Sequence, residues 1–176
     1  MRANMLKVFF RRIYRVYQMI VRTSGTFSGV CVLVMVLTIV LDVIGRTFFG
    51  KPLEGSFELN EVLMVLIVFL GLAWTQSQRG NVKIEVFTSR LSYKNARAVD
   101  LAVLTMSLLF ASLITIGGTV EALHSTRIRE AVWGIARFPV WPGKIMLAFG
   151  CFLLCIQFLI DIIHEVGHLL SGNQKI

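Results

Sequence analysis

Charged residues are scarce in this sequence. Of its 176 residues only 16% are Asp, Glu, Lys or Arg, whereas 56% are hydrophobic. A soluble domain of this length carries about 25% charged residues, which keep its surface hydrated. The missing charge excludes an ordinary soluble protein and indicates that lipid is part of the solvent around the chain. We therefore expect an integral membrane protein.

Cysteine is also rare, and the three cysteines, Cys31, Cys151 and Cys155, all lie within apolar stretches. This pattern excludes the disulfide framework of a small extracellular domain. Cys151 and Cys155 are one helical turn apart, as two metal ligands would be, but no further ligand accompanies them. We expect all three thiols to be small packing residues.

The sequence lacks the common motifs of enzymes, cofactor-binding proteins and nucleic-acid-binding proteins. It contains no phosphate-binding G-x-x-x-x-G-K-[ST] loop, no dinucleotide fingerprint, no haem-attachment motif and no nucleic-acid motif. No apolar run is broken into the paired half-helices with which transporters build midplane sites. We therefore expect no enzyme activity, no cofactor, no catalytic, substrate-binding or metal-binding residue and no nucleic-acid partner. The first apolar run has no A-x-A-like cleavage site, so we expect it to remain as an anchor.

Four long apolar segments are present. Uncharged runs cover residues 23–41, 62–78, 101–120 and, interrupted by Asp161 alone, 145–163. At about 1.5 Å per residue such runs approach the roughly 30 Å of hydrocarbon in a bilayer. The sequence predicts an all-α integral membrane protein with one membrane domain, residues 1–176. Its transmembrane helices are expected at residues 23–45, 58–78, 98–121 and 143–164.

The basic residues are distributed unequally between the two sides of the membrane. Twelve of the 18 lie in the N-terminal segment, the loop between the second and third spans, and the C-terminal tail, and six lie in the other two loops. Loops on the cytoplasmic side are enriched in Lys and Arg. We therefore expect both termini to face the cytoplasm.

The N-terminal segment, residues 2–22, shows helical periodicity of apolar and basic residues. Its apolar face includes Phe9, Ile13 and Tyr17, and the opposite face carries four cations, Lys7, Arg11, Arg15 and Arg22. Such a segment is typical of an amphipathic helix on the membrane surface, with its cations on anionic lipid headgroups. The alternative is a topogenic signal that continues directly into the first span.

Proline and tryptophan mark the ends of the spans. Pro52, in the segment 50–55, cannot donate a backbone hydrogen bond inside a helix, so it predicts a turn between the first two spans. Trp133 and Trp141 fit the outer aromatic belt of a membrane protein, and Trp74 fits the inner belt. We expect structural roles for all three tryptophans.

Four charged residues near the outer membrane interface are candidates for contacts with a partner. Asp42 and Arg46 are spaced i,i+4 with the acid first, which favours an intrahelical ion pair. Glu58 and Glu61 are spaced i,i+3 and could pair within the chain or with a partner, be solvated at the interface, or carry ions or protons. Arg46 and Glu58 could pair across the Pro52 turn, or Asp42 could hold Arg46 while a partner supplies the cation for Glu58.

Residues 164–168 read HEVGH, a literal H-E-x-x-H. On a helix this motif places two imidazoles on one face beside a glutamate, as zinc metalloproteases do. Only eight residues follow His168, and they offer no third ligand. We therefore interpret the motif as the polar, interfacial end of the fourth span.

Several segments together resemble a known family. RTFFGKPL at residues 46–53, Glu58 with Leu59, VLIVFLGLA at 65–73 and RGNVKIE at 79–85 match the spacing of R, G-x-P, E-L, F-L-G-x-A and G-H-x-x-V-D. This pattern resembles the small membrane subunit of tripartite ATP-independent periplasmic (TRAP) transporters. Later positions of the pattern correspond to Phe138, Pro139, Trp141 and Gly150. Asn81 and Glu85 replace the histidine and aspartate that are common in the family.

The resemblance implies a scaffold in the bacterial inner membrane that binds no substrate itself. Its partners would be a large multi-span membrane subunit, which moves as an elevator and holds the substrate and sodium sites, a periplasmic protein that delivers an organic acid, and membrane lipids. Candidate interface or structural residues are Asp42, Arg46, Pro52, Glu58, Glu61, Gly71 and Trp141. The alternatives are an independent small transporter or channel, and a membrane metalloprotease that uses HEVGH.

Overall fold

The computed structural model describes residues 2–78, 93–131 and 139–171, with the side chains of residues 11–78, 96–131 and 139–167. These residues form four helices, α1 (Arg2–Phe49), α2 (Ser56–Ser77), α3 (Tyr93–Ile128) and α4 (Trp141–Ser171). Each contains a segment that is long and apolar enough to cross a membrane, namely Arg11–Phe49, Ser56–Ser77, Ala96–Ile128 and Trp141–Gly167. The predicted all-α membrane fold is confirmed. Trp133, Asn81 and Glu85 lie outside the described residues.

Helix α1 is unusually long, with 48 residues. At 1.5 Å per residue it extends roughly 70 Å, more than twice the hydrocarbon thickness of a bilayer. The segment 2–22, predicted as an amphipathic surface helix, continues into the first span without a break. Its contact with the membrane surface stays a prediction, but its backbone and that of the span belong to one helix.

The α1–α2 turn occupies residues 50–55, around Pro52 as the sequence predicts. Gly50 and Gly55 have positive φ angles of 60° and 80°, a conformation that glycine adopts without the steric penalty of a Cβ atom. The amide of Ser56 donates to the carbonyl of Leu53, and that of Leu59 to the carbonyl of Gly55. These bonds begin α2 immediately after the turn.

The order of the helices in space differs from their order in the chain. Helix α2 packs between α1 and α4, and α4 packs between α2 and α3. A Cβ atom at Gly150 of α4 would collide with the carbonyl group of Phe69 in α2. A glycine at this position therefore allows the backbones of the two central helices to touch, as small residues do in membrane bundles.

The buried core is small and lies among α1, α2 and α4. It consists of Tyr17, Val21, Ala73 and Leu153, with Trp74 among the partly buried residues around it. In the most apolar 18-residue segment of α4, 33% of the residues are buried within the protein, compared with 6% in the corresponding segment of α3. Most apolar side chains of α3 therefore face outward, toward lipid or another protein.

Several hydroxyl groups within the spans donate to carbonyl groups of their own helices. In α3, Thr105, Ser112, Thr115 and Thr119 each donate to the carbonyl four residues earlier. Thr38 does the same in α1, at 2.8 Å from the carbonyl oxygen of Val34. Such bonds satisfy polar groups that would otherwise face lipid. These side chains therefore do not line a polar path.

Candidate functional site

The charged residues of the bundle lie at its two ends. The turn end comprises residues 42–61, 121–131 and 139–147, and includes the α1–α2 turn, the end of α3 and the start of α4. The opposite end comprises residues 11–22, 76–78, 96–100 and 157–167. A functional site that uses charge must lie at one of these ends, because the middle of each span carries no charged residue.

At the turn end, Asp42 joins the last turns of α1 to the α1–α2 turn. Its Oδ2 accepts a hydrogen bond from Arg46 Nε at 2.8 Å, and its Oδ1 accepts one from the amide of Leu53 at 2.9 Å. The predicted i,i+4 pair is therefore present. Pro52 precedes this amide, so Asp42 bonds to the first donor that the turn offers after the proline.

Glu58 lies in the first turn of α2, separated from that pair. Its residue is 8% exposed, and in the described part of the chain it forms no hydrogen bond or ion pair. Of the two arrangements that the sequence left open, the structure brings Arg46 to Asp42 and not to Glu58. Glu61 is exposed one turn further along the helix.

A second cluster joins the end of α3 to the start of α4. Lys144 Nζ donates to Glu121 Oε1 at 2.8 Å and to Glu130 Oε2 at 2.6 Å. Glu130 also accepts a hydrogen bond from the hydroxyl of Ser125. The Lys144 ammonium, followed by the Ser125 hydroxyl, holds the pKa of Glu130 below its ordinary value. This cluster was not predicted from the sequence, although two acids and a base that flank one connection were a usable signal.

A cavity of about 230 Å³ opens between α2 and α4 at the turn end. Residues of both helices line it, among them Glu58, Glu61, Val62, Val65, Lys144 and Leu147. The structure therefore brings the two predicted acids together with a lysine around a mainly apolar space. Trp141 begins α4 at this end and is exposed.

At the opposite end, a polar cluster lies between α2 and α4. Asp161 Oδ2 accepts from Gln76 Nε2 at 2.6 Å, and its Oδ1 accepts from Gln157 Nε2 at 3.0 Å. The Tyr17 hydroxyl of α1 donates to the carbonyl oxygen of Leu153 at 2.9 Å. The two glutamines were not predicted as site residues, although an amide side chain inside an apolar run was the available signal.

The HEVGH segment is the last charged part of α4. Its glutamate, Glu165, accepts from Arg97 Nη1 of α3 at 2.5 Å, and His164 is exposed. The side chain of His168 lies outside the described residues. Among the residues with described side chains, no group of three or more His, Cys, Asp or Glu could hold a metal ion. The glutamate that a metalloprotease would use as a base is here the partner of an arginine.

The remaining candidate residues are Gly71 in α2 and the basic residues at the start of α1. Gly71 lies where α2 crosses α1, and a Cβ atom there would be 3.1 Å from the Ser28 hydroxyl oxygen, which bonds to the carbonyl of Ile67 at 2.7 Å. Gly71 therefore serves close packing. Arg11, Arg15 and Arg22 are exposed along the start of α1, and the side chain of Lys7 lies outside the described residues.

Four helices long and apolar enough to cross a membrane, with charged groups at their ends, define a multi-pass helical membrane protein. A family model for the DctQ component of tripartite ATP-independent periplasmic transporters matches residues 35–167. The chain therefore belongs to this family, the small membrane components of TRAP transporters. Such a component is part of a transporter, not an enzyme, and works in a tripartite complex with a large membrane subunit and a periplasmic binding protein. No curated protein matches the chain.

Proposed function

We propose that this chain is the scaffold subunit of a sodium-coupled TRAP transporter that imports an organic acid across the bacterial inner membrane. It supports a large elevator-type subunit, which holds the substrate and sodium sites, and it binds no substrate. Membership of the DctQ family supports the assembly. Sodium coupling, the organic acid and the scaffold role belong to the proposal.

The observation that carries the scaffold role is the placement of polar and apolar groups. The middle of each span is free of charged residues, whereas intramembrane charges mark the ion and substrate paths of transporters. The outward faces of α1 and α3 are broad and apolar, with exposed residues such as Leu33, Leu37, Met106, Leu113 and Ile116. A frame against which a mobile domain slides needs such lateral contact area and no charge at its centre.

We further propose that both termini face the cytoplasm, so that the turn end faces the periplasm. The distribution of basic residues supports this orientation. The exposed arginines at the start of α1, Arg11, Arg15 and Arg22, then lie where anionic headgroups attract cations by about 1 kcal/mol each. Asp42, Arg46, Pro52, Glu58, Glu61, Gly71 and Trp141 shape or support the contact with the partners.

Reconstituted uptake tests the function. Proteoliposomes that contain the large subunit and this chain should take up an organic acid delivered by the periplasmic protein under an inward sodium gradient. Vesicles that lack this chain should show little uptake, and vesicles with this chain alone should show none. Flux through the chain alone would instead identify an independent transporter or channel.

Cysteine labelling tests the orientation. In a background without the three native cysteines, a cysteine at Lys51 or Arg137 should react with an impermeant maleimide in intact spheroplasts. A cysteine at Lys94 should react only after permeabilisation. Equal labelling of all three positions in intact spheroplasts would contradict the proposed orientation.

A further inference from the structure

Glu58 is a buried acid at the turn end without an ion-pair partner in the described part of the chain. With 8% of the residue exposed, it is shielded about as well as many core side chains. Asp42, by contrast, receives hydrogen bonds on both carboxylate oxygens. A carboxylate on a mostly shielded residue is stabilised by a donor or a cation, and no described residue supplies one to Glu58.

Two cations of the turn end that could pair with Glu58 already bond to other acids. Lys144 lines the same cavity as Glu58, but its ammonium donates to Glu121 and Glu130. Arg46 donates to Asp42. The wall of the cavity therefore carries a net negative charge from Glu58 and Glu61, which a group from outside the chain can neutralise.

The shape of the cavity indicates what kind of group fits. Glu58, Val62 and Val65 lie on one face of α2 at i, i+4 and i+7, and Leu147 of α4 lines the cavity with them. Its volume of about 230 Å³ exceeds the roughly 150 Å³ that holds a benzene molecule in an engineered cavity. The space suits a long apolar stem that ends in a positive charge, as in lysine and arginine.

We propose that this cavity is the docking site for a lysine or arginine side chain of the large membrane subunit. The stem packs against Val62, Val65 and Leu147, and the charge pairs with Glu58, with Glu61 at the mouth. The inference rests on the proposed function, since it requires that subunit as partner. A lipid is the poorer occupant, because Lys144 is engaged with two acids and does not offer a free cation to a phosphate.

Removal of the charge tests the pairing. Glu58→Gln keeps the shape of the side chain, and Glu54→Gln is the matched control, because Glu54 is exposed in the neighbouring turn. When the two subunits are co-expressed and purified through a tag on the large subunit, Glu58→Gln should reduce retention of this chain at least roughly tenfold, as loss of one member of a buried charge pair does. Glu54→Gln should be retained like the parent chain.

Filling of the cavity tests the location independently of charge. Val65→Phe adds bulk inside the cavity, whereas Met64→Phe adds the same ring on a neighbouring residue that is 53% exposed. Val65→Phe should reduce retention by a similar factor, and Met64→Phe should not. Each isolated variant is first checked by size-exclusion chromatography and circular dichroism, and Val65→Met provides a smaller filling group if the phenylalanine variant does not fold.

A photocrosslinker identifies the occupant. Benzoylphenylalanine in place of Glu61, at the mouth, should form an adduct with the large subunit in the assembled complex, and one in place of Glu54 should not. An adduct only with lipid or with the periplasmic protein would overturn the proposal, as would normal retention of Glu58→Gln and Val65→Phe. If the parent chain itself fails to co-purify with the large subunit, the proposed function fails and the docking site with it. Retention of every variant refutes the docking site alone.

Discussion

The carboxylates at the two ends of the bundle differ in whether they have hydrogen-bond or ion-pair partners. At the opposite end, Asp161 accepts hydrogen bonds from two glutamines and Glu165 accepts one from Arg97. At the turn end, Asp42 is similarly paired, but Glu58 and Glu61 have no partner within the described residues. The carboxylates of Asp161 and Glu165 thus have partners within the chain, whereas the turn end leaves a shielded acid beside a cavity.

The difference has a physical cause. A polar group that is kept from water at the edge of a bilayer is stabilised only by a nearby donor or counter-charge. Helices α2, α3 and α4 supply such groups to one another at the opposite end. At the turn end, Lys144 bonds to Glu121 and Glu130 at the connection between α3 and α4, and no cation among the described residues pairs with Glu58 or Glu61.

The largest effect on the isolated chain is expected from Asp161→Ala. The substitution removes the acceptor of the amide groups of Gln76 and Gln157, which should lower the free energy of unfolding by about 1 to 3 kcal/mol. Glu58→Gln should not lower it, because the substitution removes a charge that has no partner among the described residues. The measurement is unfolding by SDS in mixed micelles, followed by circular dichroism. An equal loss in both variants would show that the two ends are alike.

Glu165→Gln should have a smaller effect. Its ion pair with Arg97 is partly shielded, with side-chain exposures of 13% and 25%, whereas Arg46 is 62% exposed. We expect Glu165→Gln to destabilise the isolated chain by about 1 kcal/mol and Arg46→Gln by less than about 0.5 kcal/mol, because exposed pairs are screened by water. The same SDS titration in mixed micelles measures both variants. A larger loss of stability in Arg46→Gln than in Glu165→Gln would contradict the expected difference between the two ends.

Low pH should weaken the ion pair between Glu130 and Lys144, which joins the end of α3 to the start of α4. The pKa of Glu130 is lowered from its ordinary value of 4.5, mainly by Lys144. Its contribution to stability is therefore complete above about pH 4.5 and is lost as the pH falls through the lower pKa of the folded chain. The difference in melting temperature between the parent and Glu130→Gln should shrink below pH 4.5. A difference that stays constant down to pH 3 would refute this role.

The smallest effect is expected from His164→Gln. The imidazole is exposed at the opposite end, and Glu165 of the same motif is engaged with Arg97. Complex assembly and uptake should therefore stay within about twofold of the parent, the range of most surface substitutions. Loss of uptake with normal assembly would show that the HEVGH segment has a function of its own.

Much of the architecture was predictable from local properties. The helix-breaking Pro52 and the glycines around it predict the turn, and the i,i+4 spacing of Asp42 and Arg46 predicts their pair, because both depend on residues close in the chain. The contacts of Gln76 with Asp161, Arg97 with Glu165 and Lys144 with Glu121 were not predicted. Their partners are far apart in the sequence, so only the packing of the helices brings them together.

By itself, the sequence determined that the chain is an all-α membrane protein, since four uncharged runs must satisfy their backbone groups within helices when they are surrounded by lipid. It also determined the class of protein, through motifs whose spacing is local. The packing of the helices, by contrast, places α2 between α1 and α4 and puts Glu58 at a cavity with no ion-pair partner among the described residues. Helices of similar hydrophobicity can pack in several orders, and the order is set by fine surface features such as the missing side chain of Gly150, which admits the backbone of Phe69.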